Sequence, residues 1–177
     1  MKREVVIYID GSCKGNPGIG SALALFEVET NGATSKFNRE ETYEHTTNNR
    51  AEYGALLLAL NELSEETDWL DGEKIDIKMN ISIYTDSNLI CEHLNKEWKV
   101  NKNHDLVEKA KFLLEKIRKK HNINVFWIPR NENKAGIVFE GRIKYKNFKQ
   151  FKENSEVIKE SLIQEFISLL IEKMGEK

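Results

Sequence analysis

Three β-rich runs joined by short connections, followed by helix and strand in alternation, constrain the fold of this chain more than any other feature. The runs are residues 4–9 (EVVIYI), 21–29 (SALALFEVE) and a third within 33–43. Asp10-Gly11 and a Gly/Pro stretch over 11–20 close the first run and read as a loop. Connections this short join antiparallel neighbours, because a parallel crossover needs a dozen or more residues. Asn48 or Asn49 then caps a helix whose apolar stripe is Leu56, Leu57, Leu60 and Leu63. An acidic loop containing Gly72 is expected to follow it. Residues 80–85 (NISIYT) form a fourth strand, 87–94 and 105–120 two helices, and 123–128 (INVFWI) a fifth strand stopped by Pro129. Past Asn133 the chain reads as mostly helical to its end. The expected fold is α/β, a mixed five-stranded sheet of three antiparallel strands and then two parallel ones, flanked by helices, with an added C-terminal helix. The corresponding division is a domain over 1–143 and a helical extension over 144–177.

A chain of 177 residues has room for one domain and a short appendage. With 40% hydrophobic and 32% charged residues it is globular in composition, and no run approaches the roughly 20 apolar residues of a membrane span. The apolar stretch before Asp10 is shorter than the h-region of a signal peptide, about 7–15 residues, so a cytoplasmic location with no membrane partner is expected. Cys13 and Cys91 stand too far apart for a C-x-x-C metal or redox motif. Gly15, Gly18 and Gly20 lead into a strand rather than a helix, which argues against a nucleotide-binding loop and a small-molecule cofactor. The net charge of −2 leaves any nucleic-acid footprint to be local. Residues 62–76 hold seven acids against Lys74, whereas 144–152 hold four lysines and no acid.

Asp10 stands at the end of the first strand, Glu52 in the first turns of the first long helix, and Asp86 at the end of the fourth strand. Carboxylates at strand ends beside helix starts open into a crevice suited to an ion. Two-metal phosphodiester hydrolysis needs carboxylates that hold cations about 4 Å apart, and magnesium is content with few carboxylates plus water and phosphate oxygens. Taken singly, each acid also reads as a solvated strand or helix end.

The company of these acids is more specific. The segments YIDGSCKGNPG (8–18), TTNNRAEYGALLLAL (46–60) and YTDSNLICEHLN (84–95) together resemble the type 1 ribonuclease H family, over about residues 4–143. The resemblance implies an endonuclease that cuts the RNA strand of RNA–DNA hybrids with two Mg²⁺ ions, Mn²⁺ being the alternative, and leaves 5′-phosphate and 3′-hydroxyl ends. It implies that Asp10, Glu52 and Asp86 hold metal, and that Gly11, Ser12 and Asn16 lie in a loop against the substrate. Thr47, Asn48 and Asn49 fall where the family touches phosphate and ribose 2′-hydroxyls, groups that amides and hydroxyls can serve as donor and acceptor. Simple helix capping is the other reading of those asparagines. Asn103, or Asn101 in a looser alignment, resembles a residue near the phosphate-binding site.

The family's fourth acid, an aspartate in an N-x-x-A-D pattern, is missing from IPRNENKAGIVFEG (128–141). Gly136 or Ile137 stands at its place. Glu140, one helical turn beyond Gly136, is the candidate replacement as catalytic and metal-binding residue; Glu132, ahead of the helix, is a weaker one. The alternative is a site of three acids, in a weak or inactive protein that binds hybrid or double-stranded RNA. A Gly-His stretch common in bacterial members is also absent. Pro129-Arg130 resembles another branch, where Arg130 either holds a phosphate through a bidentate contact or pairs with an acid. His104 reads as a surface residue, and Trp98 as either a groove or a core residue. Tyr145, Phe148 and Phe151 alternate with lysines, giving a phosphate-binding stripe or an ordinary amphipathic helix. Ile158, Leu162, Phe166, Leu169 and Ile171 continue an apolar surface that packs on the domain of a monomer or, alternatively, pairs two protomers.

Overall fold

The computed structural model describes residues 2–73, 76–95 and 99–141. Trp98 and the whole segment 142–177, with its basic-aromatic stretch and apolar surface, lie outside the described residues. The elements in chain order are β1 (Lys2–Lys14), β2 (Gly18–Thr30), β3 (Ala33–Thr46), α1 (Asn48–Gly72), β4 (Lys78–Thr85), α2 (Asn88–Asn95), α3 (His104–Arg118), β5 (Asn122–Trp127), a 3₁₀ turn at Arg130–Glu132, and α4 (Lys134–Phe139). The sheet order is β3-β2-β1-β4-β5. β1, β2 and β3 pair antiparallel, and β4 and β5 join in parallel. This is the expected mixed sheet.

Alternation of side chains sets which face is buried. Val5, Ile7 and Ile9 of β1 stand opposite Val28, Phe26 and Ala24 of β2, and they share the core with Ile81 and Ile83 of β4 and Ile123 and Val125 of β5. Leu56, Leu60 and Leu63 of α1, with Val107, Ala110, Leu114 and Ile117 of α3, complete that core. Asn31 and Gly32, both with positive φ, turn β2 into β3. Asn-Gly is the favoured two-residue hairpin turn, because its backbone twist matches that of the strands.

Two stretches differ from expectation. Residues 11–14 and 18–20 are strand rather than loop, since β1 and β2 keep pairing as far as Lys14 and Ile19. Asp10 therefore lies within β1 and not at its end. The acidic stretch after Leu63 is not a loop either, because α1 continues to Gly72. Acids along this half of the helix are used by neighbours: Glu62 receives both Nε and Nη2 of Arg39 at 2.7 Å, Glu66 receives Arg3, Asp68 receives Lys116 at 2.7 Å and Asp71 receives Lys120 at 3.0 Å. The cap of α1 is Thr47, whose hydroxyl accepts the Arg50 N–H, rather than Asn48 or Asn49. Among the described residues no helix is long and apolar enough to cross a membrane.

Candidate active site

The acidic site arises where the parallel pairing of β1 ends. β4 follows β1 only to the pair Tyr8–Tyr84, so Asp10, two residues further, has no parallel neighbour beside it. Asp86 is the first residue past β4. Glu52 arrives from α1 because Gly11 lets the helix backbone touch the strand: a Cβ at Gly11 would stand 2.2 Å from the Glu52 nitrogen. One ligand oxygen from each of Asp10, Glu52 and Asp86 lies within 4.8 Å of the others.

These acids are not solvated chain ends. Asp10 is fully buried and Glu52 nearly so. Neither Asp10 oxygen nor Oε2 of Glu52 has a well-formed hydrogen bond, although all three are shut from solvent. Burial, and next the Asp86 charge, push the Asp10 carboxyl well above its ordinary range; the nearby Arg130 charge and Gly11 N–H only moderate the rise. Glu52 is pushed up by burial and then by the charges of Asp10 and Asp86. Converging buried anions without donors require either protons or a cation. The oxygen-only donor set suits a hard divalent ion such as Mg²⁺ or Mn²⁺, so the residues present fit a metal.

Arg130 pairs with acids, the second of its two sequence readings. Its Nη1 stands 3.1 Å from Asp86 and 3.9 Å from Asp10, and its Nε donates to Glu140 at 3.0 Å. Glu140, the residue after α4, thus sits across the guanidinium and is not among the three clustered acids. Gly136 is the α4 position that faces the site: a Cβ there would lie 3.3 Å from Asp10 Oδ2.

The expected substrate residues fall on the same side of the molecule as α1's first turn. Asn16, in the exposed β1–β2 turn, accepts the Asn48 N–H at 3.0 Å, and Asn48 and Asn49 are exposed. Ser12 is half-buried within β1. Asn103 takes a left-handed conformation at the start of α3 and accepts Arg50 Nη1 at 3.3 Å. His104 is exposed, as expected.

Two residues of the site escaped the sequence reading. Asn133, fully buried, caps α4 through its Oδ1 while its Nδ2 donates to Asp86 Oδ1 at 2.7 Å and to the Ile9 carbonyl at 2.9 Å. Its capping role was legible as an Asn before a short helical pattern. Trp127 donates its indole N–H to the Asp86 carbonyl at 3.1 Å from a half-exposed ring.

A mixed sheet with buried carboxylates gathered at the end of its parallel pairing defines an α/β protein with a site able to hold a divalent ion. The RNase H family model matches residues 2–136. A ribonuclease H of Francisella tularensis subsp. novicida is 32% identical over 148 residues, covering 76% of this chain and 84% of that protein. Among solved structures, the N-terminal RNase H domain of a Mycobacterium tuberculosis protein is 26% identical with a TM-score of 0.59, covering 76% of this chain and 88% of that one. LC11-RNase H1 in complex with an RNA/DNA hybrid is 30% identical with a TM-score of 0.57, covering 73% and 88%. The chain belongs to the ribonuclease H family.

Proposed function

We propose that this enzyme hydrolyses the RNA strand of RNA–DNA hybrids, using Mg²⁺ or Mn²⁺ held by Asp10, Glu52 and Asp86, and leaves 5′-phosphate and 3′-hydroxyl ends. The observation that carries the reading is the set of buried carboxylate oxygens without donors. Such a site is costly to keep unless a cation occupies it in the working protein. A bound divalent ion supplies a water nucleophile of lowered pKa and a Lewis acid for the phosphoryl oxygens. The chain itself orients the acids: Asn133 fixes one oxygen of Asp86, and Gly11 brings Glu52 against Asp10. Arg130, although paired with acids, is about half exposed and offers positive charge to an arriving phosphate. Asn16, Asn48 and Asn49, beside the cap Thr47, place amides on an exposed edge where a 2′-hydroxyl can be recognised. Gly11, Ser12 and Asn103 complete the proposed substrate contacts. The relative solved with a hybrid supports this substrate class.

The test is cleavage of end-labelled RNA–DNA hybrid, double-stranded RNA and double-stranded DNA in Mg²⁺ or Mn²⁺, with Asp10→Asn as control. Cleavage of the RNA strand in the hybrid, lost in the control, is expected. Binding of hybrid with no more cleavage than the control would favour the inactive-binder reading instead.

A further inference from the structure

We infer that each chain takes one tightly bound divalent ion and that the Arg130 guanidinium stands in the place of a second. The inference rests on the proposed metal-dependent cleavage and concerns how its positive charge is divided. Two ions about 4 Å apart need a shared carboxylate and further acids on both sides. Among the described residues the site gathers Asp10, Glu52 and Asp86 only. Helix α4, which approaches Asp10 from the other side, presents Gly136, so no carboxylate is delivered from that position.

What stands beside the shared acids instead is a cation of the protein. Arg130 reaches Asp86 Oδ2 at 3.1 Å and Asp10 Oδ1 at 3.9 Å. Glu140, a further acid on this segment, holds the guanidinium through Nε at 3.0 Å. Asp86 is thereby divided between two fixed partners, Asn133 on Oδ1 and Arg130 on Oδ2. Each Asp86 oxygen keeps a further lone pair, so Asp86 can still hold the one divalent ion together with Glu52 and Asp10. A second dication seated between Asp10 and Asp86 would meet the guanidinium at contact distance, with like charges opposed in a partly buried place.

The division also fits the chemistry. Arg130 is about half exposed, and its Nη2 carries none of these contacts, which leaves it open to an anionic oxygen while Nη1 and Nε stay on the acids. Charge developing on the phosphate would then be met by an ion on the Glu52 side and by the guanidinium on the Asp86 side.

The experiment is calorimetric titration of the full chain with MnCl₂ alone, without nucleic acid, for wild type, Arg130→Gln, Arg130→Lys and Asp10→Asn. One tight ion is expected for wild type and for Arg130→Lys, which keeps the charge. Arg130→Gln should take up a second ion, or bind the first at least tenfold more tightly, while its far-UV circular dichroism stays that of wild type. Two ions of affinity within tenfold of each other in wild type would overturn the inference and leave the cleavage reading standing. So would Arg130→Gln binding as wild type does. No ion binding by wild type, with none lost in Asp10→Asn, would overturn both.

Discussion

Asn133 donates to Asp86 across 2.7 Å from a fully buried side chain whose other atoms are equally committed, to the Ile9 carbonyl and the Ala135 N–H. One amide therefore ties β1, the end of β4 and the start of α4 together at the acidic site. Asn133→Ala removes a helix cap and leaves the Ile9 carbonyl without this donor, a combined cost of about 2 kcal/mol. In a chain of this size that corresponds to a fall in Tm of roughly 4–8 °C. Asn133→Asp keeps the cap but sets an anion against Asp86. Thermal unfolding and Mn²⁺ titration separate the two roles: both variants should bind Mn²⁺ differently from wild type, and loss of stability in Asn133→Ala with unaltered Mn²⁺ binding in both would limit Asn133 to capping.

Stability of the metal-free chain should fall as pH rises through neutrality. Burial moves Asp10 from an ordinary 3.8 to about 7 and Glu52 from 4.5 to about 9. Between the ordinary and the raised values the folded chain holds more protons than the unfolded chain, so stability decreases with pH and the loss is complete above the raised values. Other groups act elsewhere. Glu27 and Asp105, whose carboxyls are held low by lysines and by Arg50 respectively, add stability that is present above their ordinary range. Buried His93 and His121, pushed below 6.5, add stability as pH rises towards that value. From about pH 7 to 8 the slope in chelator thus belongs chiefly to Glu52, before the Cys91 thiol, pushed from 9.0 to about 11 by burial, adds to it. Thermal melts in EDTA should show Tm falling over that interval in wild type and nearly flat in Glu52→Gln; equal slopes would contradict the assignment. Added Mg²⁺ or Mn²⁺ should raise Tm more at the upper end, where fewer protons compete for the oxygens.

Gly11→Ala tests the contact that brings Glu52 to Asp10. Its Cβ would lie 2.2 Å from the Glu52 nitrogen and 2.3 Å from the Ala51 carbonyl carbon. Both are backbone atoms, so no rotamer change relieves the overlap and β1 and α1 must separate. A cost of about 2–3 kcal/mol is expected, the upper part of the overpacking range, together with weaker Mn²⁺ binding. Chemical denaturation and calorimetry check the two effects, and a Gly11→Ala chain of unchanged stability would show that the helix can withdraw freely.

How much of this was legible beforehand follows from the range of each interaction. Asp10, Glu52 and Asp86 stood out because the short segments around them carry their own pattern. The acidic stretch after Leu63 read as a loop because its helix is supported by partners that local sequence does not reveal: Arg3, Lys116 and Lys120 come from other parts of the chain. Residues 11–14 carry a weak strand signal, and they become strand through their register with β2. The cap of Asn133 is a contact two residues away and could have been read locally, whereas its bond to Asp86 spans 47 positions. The place of Glu140 turned on the same limit. Helical spacing put it one turn past Gly136, and only the fold puts the Arg130 guanidinium between it and the acids.

Glu140→Gln distinguishes the two roles that follow from that position. As a metal ligand, Glu140 would have to leave Arg130 and reach the ion, and its amide replacement would weaken Mn²⁺ binding directly. As a positioning residue, it orients Arg130 through the Nε contact at 3.0 Å, and its loss acts through the guanidinium. The geometry favours positioning. Glu140→Gln should then leave Mn²⁺ affinity within about threefold of wild type, since a change of 1.4 kcal/mol would already be tenfold. Its kcat on hybrid should fall about 3–10-fold with KM little changed, the pattern of an interaction used mainly in the transition state. Combining it with Arg130→Gln should add little to the single Arg130 variant, because both substitutions remove the same oriented charge. A Mn²⁺ affinity reduced tenfold or more in Glu140→Gln, independent of the residue at 130, would return Glu140 to the metal.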